Sequence, residues 1–239
     1  LPEWMNESKF RLSLAQIGKG ANPYSTSIVY IPTGAPINDV IRFTRNNAAG
    51  DPSLKPELTT AFEVGTDLNF LNNRLGLNFT WYRSISKDLI MDVSTAPGTG
   101  QTSITLNAGE IRNKGVELTL TGKPLVTKNL TWETQLNFSA NRNKILSVYK
   151  GLDYIPGGGS FGYGGSGPSF LFRPGYSVGD IYGTYWLRYY GNKPEDPLHT
   201  DKSLPQVIGA NGFPVRAPAS SQKVVGNSMP DWIGSIPNT

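Results

Sequence analysis

The sequence has no cysteine and a single histidine. It also has no apolar run approaching the ~18–20 residues a membrane-spanning helix needs. The missing cysteines exclude thiol nucleophiles, thiolate metal sites and disulfides, and say nothing positive about the compartment. The lone imidazole, His199, sits in the polar segment Glu-Asp-Pro-Leu-His-Thr-Asp. A Ser-His-Asp triad would have to pass through it, and a solvated loop histidine is the simpler reading. One histidine and no cysteine argue against a catalytic zinc site. Asp196 and Asp201 lack the spacing and the glycine of a calcium loop. No catalytic, cofactor-binding or metal site is expected, and the chain is not expected to be an enzyme.

Apolar residues are also scarce. They make up 38% of the 239 residues, below the usual ~45–50% counted with a slightly different residue set. A soluble core built from so few would be thin, whereas a barrel in lipid can keep a polar lumen and an outward apolar belt. Charge is nearly balanced, with 22 Lys and Arg against 18 Asp and Glu. The basic residues are scattered, so nucleic acid leaves no footprint.

What the sequence does have is turns and alternation. It contains 27 Gly and 18 Pro, which suit frequent turns and oppose long helices. Three segments alternate with period two, the signature of a strand. Thr60 to Phe70 sets Phe62, Val64, Thr66, Leu68 and Phe70 against Ala61, Glu63, Gly65, Asp67 and Asn69. Leu75 to Met91 carries Leu75, Leu77, Phe79, Trp81, Ile85, Leu89 and Met91 on one face, interrupted by Arg83 and Lys87. Leu130 to Ala140 sets Leu130, Trp132, Leu136 and Phe138 against Thr131, Glu133, Gln135, Asn137 and Ser139. The link 71–74 predicts a hairpin between the first two. Further strands are expected over 9–17, 103–108, 114–121 and 178–190, with short ones at 27–31, near 39–43 and at 223–225. Several of these reach the ~9–11 residues of a tilted membrane strand, against ~5–6 in globular proteins.

Short turns at 71–74 and 122–129 alternate with long loops at 32–56, 92–102, 141–177 and 191–229. Outer-membrane barrels show this asymmetry. Arg83 and Lys87 would each cost ~2–4 kcal/mol at mid-bilayer, so they are expected beyond the hydrocarbon, near headgroups. Glu63, Glu117 and Glu133 fall on polar strand faces. Paired carboxylates could serve glycoside hydrolysis, but a wet lumen accounts for them more simply. GGGSFGYGGSG (157–167) is not followed by Gly-Lys-Ser/Thr and is read as flexible chain, not a phosphate cradle. Tyr182, Trp186 and Tyr190 share a face of the predicted 178–190 strand. They are candidate ligand or interface aromatics, with an interfacial girdle or plain packing as the other reading.

Residues 107–118, NAGEIRNKGVEL, are distinctive. Together with LKPELTTAFEVGTDLNFLNNRLGLNFTWY (54–82) and LTWETQLNFSANRNKI (130–145), they resemble the SusC/RagA family of TonB-linked outer-membrane transporters of Bacteroidota. The resemblance spans roughly 50–190, with edge positions at 4–8 and 225–230. It implies an all-β fold, an antiparallel transmembrane barrel of 22 strands around a plug. A SusD-like surface lipoprotein would lie outside, TonB would supply energy through an N-terminal region, and the cargo would be a bulky glycan or peptide. Within the motif, Asn107, Gly109, Asn113 and Gly115 suit a bend or bulge at a barrel rim, and Glu110 could form a local ion pair with Arg112 or Lys114. The chain carries no signal peptide and does not begin with Met. The whole of 1–239 is therefore expected to be a barrel segment from the middle of a longer chain, lacking the plug and terminal strands.

Three functions follow as expectations. The first is TonB-dependent import of a bulky nutrient across the bacterial outer membrane. The second is a structural or secretion-associated barrel in a larger assembly. The third is a secreted β-sandwich that binds sugar through Tyr182, Trp186 and their neighbours.

Overall fold

A computed structural model describes residues 2, 4–96, 98, 100–157, 167–189, 203–218 and 221–239. The chain divides into two compact units. The first comprises Leu1–Ile155, Arg173–Ser177 and Pro230–Thr239, and the second Pro156–Phe172 and Val178–Met229.

The first unit is built on a sheet in the order β1-β5-β6-β7-β8-β13. These are β1 (Met5–Lys19), β5 (Glu57–Phe70), β6 (Leu75–Ser94), β7 (Ser103–Val126), β8 (Thr131–Val148) and β13 (Ile233–Ser235). All five pairings along this order are antiparallel. The short strands β2 (Tyr30–Pro32), β3 (Phe43–Arg45) and β4 (Ala48–Ala49) lie in the connection between β1 and β5. β2 pairs with β3, and β4 pairs in parallel with β7.

Five of these strands span 14 to 24 residues, far beyond the ~5–6 of ordinary globular sheets. Two expected boundaries change. The segments 103–108 and 114–121 are not separate strands, because β7 runs unbroken from Ser103 to Val126. β8 does not stop at Ala140 but continues to Val148, so the following connection begins later than 141. In both places the period-two alternation lapses, as in Asn141-Arg142-Asn143-Lys144 and Gly109-Glu110. Backbone pairing carries the strand where no hydrophobic alternation marks it.

The connections alternate in length. The hairpin at 71–74 places Leu71, Asn72 and Asn73 at φ of 55°, 56° and 61°. Asparagine tolerates that left-handed region better than most residues, and Leu71 occupies it at some strain. The turn after β7 closes between Thr127 and Leu130, whose backbone and side chain exchange hydrogen bonds. Arg74 ties these two short turns together by donating to the carbonyls of Lys123 and Pro124. The connections at the other strand ends are longer, and the one from β8 to β13 contains the second unit.

A second sheet is formed by β9 (Ile155–Pro156), at the boundary of the units, and by β10 (Ser169–Phe172), β11 (Asp180–Gly183) and β12 (Lys223–Asn227) of the second unit, in the order β12-β11-β10-β9. The strand expected over 178–190 is therefore shorter. Past Gly183 the chain stays extended but pairs only through isolated bridges, Trp186 with Arg216 and Arg188 with Gln206.

Among the described residues few side chains are fully buried; the largest are Tyr182, Ile145 and Ile155. A dry core is not what holds the long strands together. Their backbone ladder and two differing faces do.

Candidate functional site

Cross-strand register sorts the long strands into an apolar face and a polar face. In antiparallel pairs, directly opposite residues share a face. One row runs Leu12, Val64, Trp81, Val116, Ala140. Another runs Leu68, Leu77, Leu120, Leu136. Thr66, Phe79, Leu118 and Phe138 fill the row between them. This face is open: Phe10 is 79% exposed, Leu12 76% and Leu136 38%. Phe62, Leu77, Leu136 and Phe138 thus lie on one outward apolar surface and do not converge on a dry centre.

On β7 the band runs from Val116 to Leu125. At ~3.3 Å per residue and ~40° of tilt it is ~23 Å tall, close to the ~25 Å apolar band of outer-membrane barrels. Aromatics flank it. Trp4 stacks on Phe70 at 5.7 Å beside the short turns, and Trp132 lies opposite Leu125. Toward the long connections Trp81 meets Phe62 edge-on at 6.1 Å, and Trp232 stacks on Phe138 at 6.2 Å. Arg83 lies one row beyond Trp81, at the edge of the apolar band, opposite Phe62 on one side and Lys114 on the other.

The opposite face is hydrophilic and cross-linked. Arg11 of β1 donates to Asp67 of β5 and, at 3.3 Å, to Thr80 of β6. Asp67 also accepts from Asn78. Farther round, Thr119 donates to Asn137 at 3.1 Å, as does Gln135 at 2.6 Å, and Asn137 donates to Ser235 at 3.1 Å. Thr59 and Ser86 share a hydrogen bond of 2.8 Å. These bonds hold polar side chains down along the sheet.

Two glycines make that flattening possible. A Cβ on Gly65 would come within 2.9 Å of the Arg11 guanidinium, which lies across it. A Cβ on Gly115 would fall 2.5 Å from the Tyr82 hydroxyl and 2.6 Å from the Ala140 carbonyl oxygen. The Tyr82 ring occupies that space, and its hydroxyl donates to Asn141 Oδ1 at 3.2 Å. Gly115 is thus a seat for a cross-strand tyrosine, a role visible only once the register places Tyr82 opposite it.

The other motif residues divide. Pairing with β6 slips between Ser86 and Leu89 and again between Leu89 and Ile90, opposite Asn107 to Ile111. Asp88, inside the first slip, has φ of 54°. The Asn107 side chain bridges this irregularity. It donates to the carbonyls of Lys55 and Asp88 at 2.8 and 2.7 Å and accepts from the Lys55 amide at 2.7 Å. Gly109 lies at the second slip, opposite Leu89, and a Cβ there would meet Met91 at 3.3 Å. Glu110 pairs with Ser147 next to a slip in β8. Asn113 and Gly115 sit in regular pairing, Asn113 between Ser84 and Asn143. Within the motif the irregularity is confined to 107–111, and the next slip in β7 falls between Gly122 and Leu125.

The three aromatics separate as well. Tyr182 is 1% exposed, inside the β10–β12 sheet. Trp186 is 45% exposed, with the Arg216 guanidinium 5.5 Å over its ring. They part company because regular strand geometry ends at Gly183, so alternation no longer assigns faces. Tyr185, not singled out from the sequence, carries Lys223 Nζ 4.9 Å over its ring. Tyr190 and His199 lie outside the described residues.

A cavity of about 480 Å³ opens in the first unit between 22–31, 46–50 and the strand residues Ile90, Asp92 and Thr105. Among the described residues no group of three or more His, Cys, Asp and Glu could hold a metal.

Comparison with known proteins places these features in a family. Residues 4–206 match a family model described as TonB dependent receptor-like, beta-barrel. The chain is 29% identical over 242 residues to TonB-dependent receptor P3 of Formosa agariphila, covering 94% of this chain and 23% of that protein. It is 28% identical over 172 residues to TonB-dependent receptor SusC of Bacteroides thetaiotaomicron, covering 70% of this chain and 17% of that one. The fold superposes on a chain of the RagAB peptide transporter with a TM-score of 0.68 at 20% identity, covering 98% of this chain and 25% of that chain. The sequence thus spans about a quarter or less of the proteins it matches.

Proposed function

The chain belongs to the TonB-dependent receptor-like β-barrel family, of SusC/RagA type, and from that premise we propose that it forms part of the wall of an outer-membrane importer of bulky nutrients. The strands cross the hydrocarbon with the Leu68–Leu77–Leu120–Leu136 face outward, and the Arg11–Asp67–Asn78 face lines the lumen. The single observation that carries this reading is the register, which gives the same four long strands one continuous apolar face and one hydrogen-bonded polar face. A soluble sandwich also alternates, but its apolar face is covered, and here it is open.

In this reading β1 and β13 present their free edges to further strands of the same barrel, since a barrel in lipid must close. The plug and the segment that engages TonB lie outside this chain. A SusD-like lipoprotein covers the side of the long connections, and Trp186 with Arg216 offers a stacking surface to a glycan or peptide cargo. The chain itself performs no covalent chemistry. It bounds a wet passage whose polar side chains are tied down by one another, leaving the lumen clear.

Uptake by cells carrying the full-length protein tests this. Accumulation of an oligosaccharide or peptide mixture should depend on the protein, and both TonB deletion and a protonophore should abolish it while surface binding persists. Uptake indifferent to both treatments would contradict energised import. Assembly defects in the deletion strain without any uptake defect would favour a structural or secretion-associated barrel instead.

A further inference from the structure

Beyond Trp81 the outward face of β6, β7 and β8 turns basic, while Phe62 of β5 keeps the same row apolar on its side and Ile85 stands in the row after it. Arg83, Lys114 and Arg142 lie directly opposite one another on β6, β7 and β8. In the next row Arg112 of β7 faces Lys144 of β8. Three adjacent strands therefore present five cations in two consecutive rows, on the face that is otherwise Val, Leu and Phe. With strands ~4.8 Å apart the three-residue row is only ~10 Å long.

Like charges directly opposite across a sheet destabilise it, and little in the chain offsets them. Arg142 alone among the five has an ion pair among the described residues, with Asp231 at 2.9 Å, and that carboxylate is itself 86% exposed. The Nε of Arg112 is buried without a hydrogen-bond partner. Glu110, two residues along β7 from Arg112, forms no ion pair with any of the five among the described residues. The patch lies at the end of the strands from which the long connections leave, the outer side of an outer-membrane barrel. It adjoins Trp81 and the Trp232–Phe138 stack, and tryptophan marks the level of the headgroups.

We infer that Arg83, Lys114, Arg142, Arg112 and Lys144 form a docking surface for the phosphorylated headgroups of lipids in the outer leaflet. The inference rests on the barrel reading above. Acyl chains pack on the Val116–Leu125 band while phosphate oxygens accept from the guanidinium and ammonium groups above it, a charge-assisted geometry that arginine suits especially well. The anion removes the like-charge repulsion that the bare sheet carries. The occupant is a membrane lipid because the same surface continues without a step into the apolar band. A soluble polyanion would gain nothing from that continuity.

Native mass spectrometry of the detergent-purified full-length protein tests this, with diphosphorylated lipid A and its dephosphorylated form as probes. Wild type should retain the diphosphorylated lipid. The Arg83→Gln/Lys114→Gln/Arg142→Gln variant should lose roughly tenfold or more in retention, since each cation near an anionic surface contributes. Retention of the dephosphorylated lipid should not change, Arg112→Gln should give a smaller loss, and Arg83→Lys/Arg142→Lys should keep most of the binding. Equal retention by the triple variant, in protein that still shows heat-modifiable barrel mobility, overturns the inference and leaves the barrel reading intact. Displacement of the lipid by millimolar inorganic phosphate overturns the lipid assignment in favour of a soluble anion. Protein that needs no detergent and retains neither lipid overturns the barrel reading, and this inference with it.

Discussion

Leu120 and Thr121 are neighbours on one strand, yet they answer to different solvents. Leu120 sits in a row of four leucines that face outward. Thr121 sits beside Gly76, Asn69 and Gln135 on the polar side. The outer face is held to one chemistry by its surroundings: anything apolar of reasonable size fits, and charge does not. The polar face is held by specific partners, Arg11 with Asp67 or Tyr82 with Gly115, and tolerates charge but not bulk at the glycines. The same backbone therefore carries a permissive surface that rejects charge and a particular surface that rejects volume.

That contrast can be broken most sharply at Leu120. In the full-length protein folded into lipid vesicles, Leu120→Arg should cost about 2–4 kcal/mol, while Thr121→Arg should cost less than about 1 kcal/mol. Denaturant titration in bilayers reads both. Gly115→Val comes next. Its added volume meets the Tyr82 ring and the Ala140 carbonyl, and overpacking of this kind costs about 1–3 kcal/mol. The paired change Gly115→Val with Tyr82→Ala should recover only part of that loss, because the carbonyl contact remains. Arg11→Met should cost about 1 kcal/mol, since Asp67 keeps Asn78 but loses its cation. The smallest effect belongs to Lys19→Ala. Its 3.3 Å pair with Glu57 leaves the lysine side chain 77% exposed, and such pairs are worth well under 1 kcal/mol. A Lys19→Ala cost as large as that of Arg11→Met would blur the distinction between the lumen network and the strand end.

The faces could be read from sequence wherever the strand lies in the apolar band. Phe62-Glu63-Val64-Gly65-Thr66 and Leu75 to Trp81 announce their period because lipid forces one side to be greasy. The signal fades where the strand leaves the band. Asn141 to Lys144 are polar on both sides and Asn107 to Lys114 show no sustained alternation, which hides the far end of β8 and the continuity of β7. The Tyr82–Gly115 seat and the basic rows depend on register, which turn lengths and bulges decide and which no single strand displays. Tyr182 and Trp186 look alike in sequence. Only the loss of regular pairing after Gly183 explains why one is buried and the other open.

The most direct test of the two-faced wall is accessibility along β7. Single cysteines placed one at a time from Val116 to Thr121 in a cysteine-free full-length background, spin-labelled and reconstituted in vesicles, can be probed with oxygen and with a polar nickel complex. Labels at Val116, Leu118 and Leu120 should favour oxygen, and labels at Glu117, Thr119 and Thr121 should favour nickel, alternating at every residue. Low accessibility to both reagents at Leu118 and Leu120 would mean a dry protein interior on that side and would contradict the account.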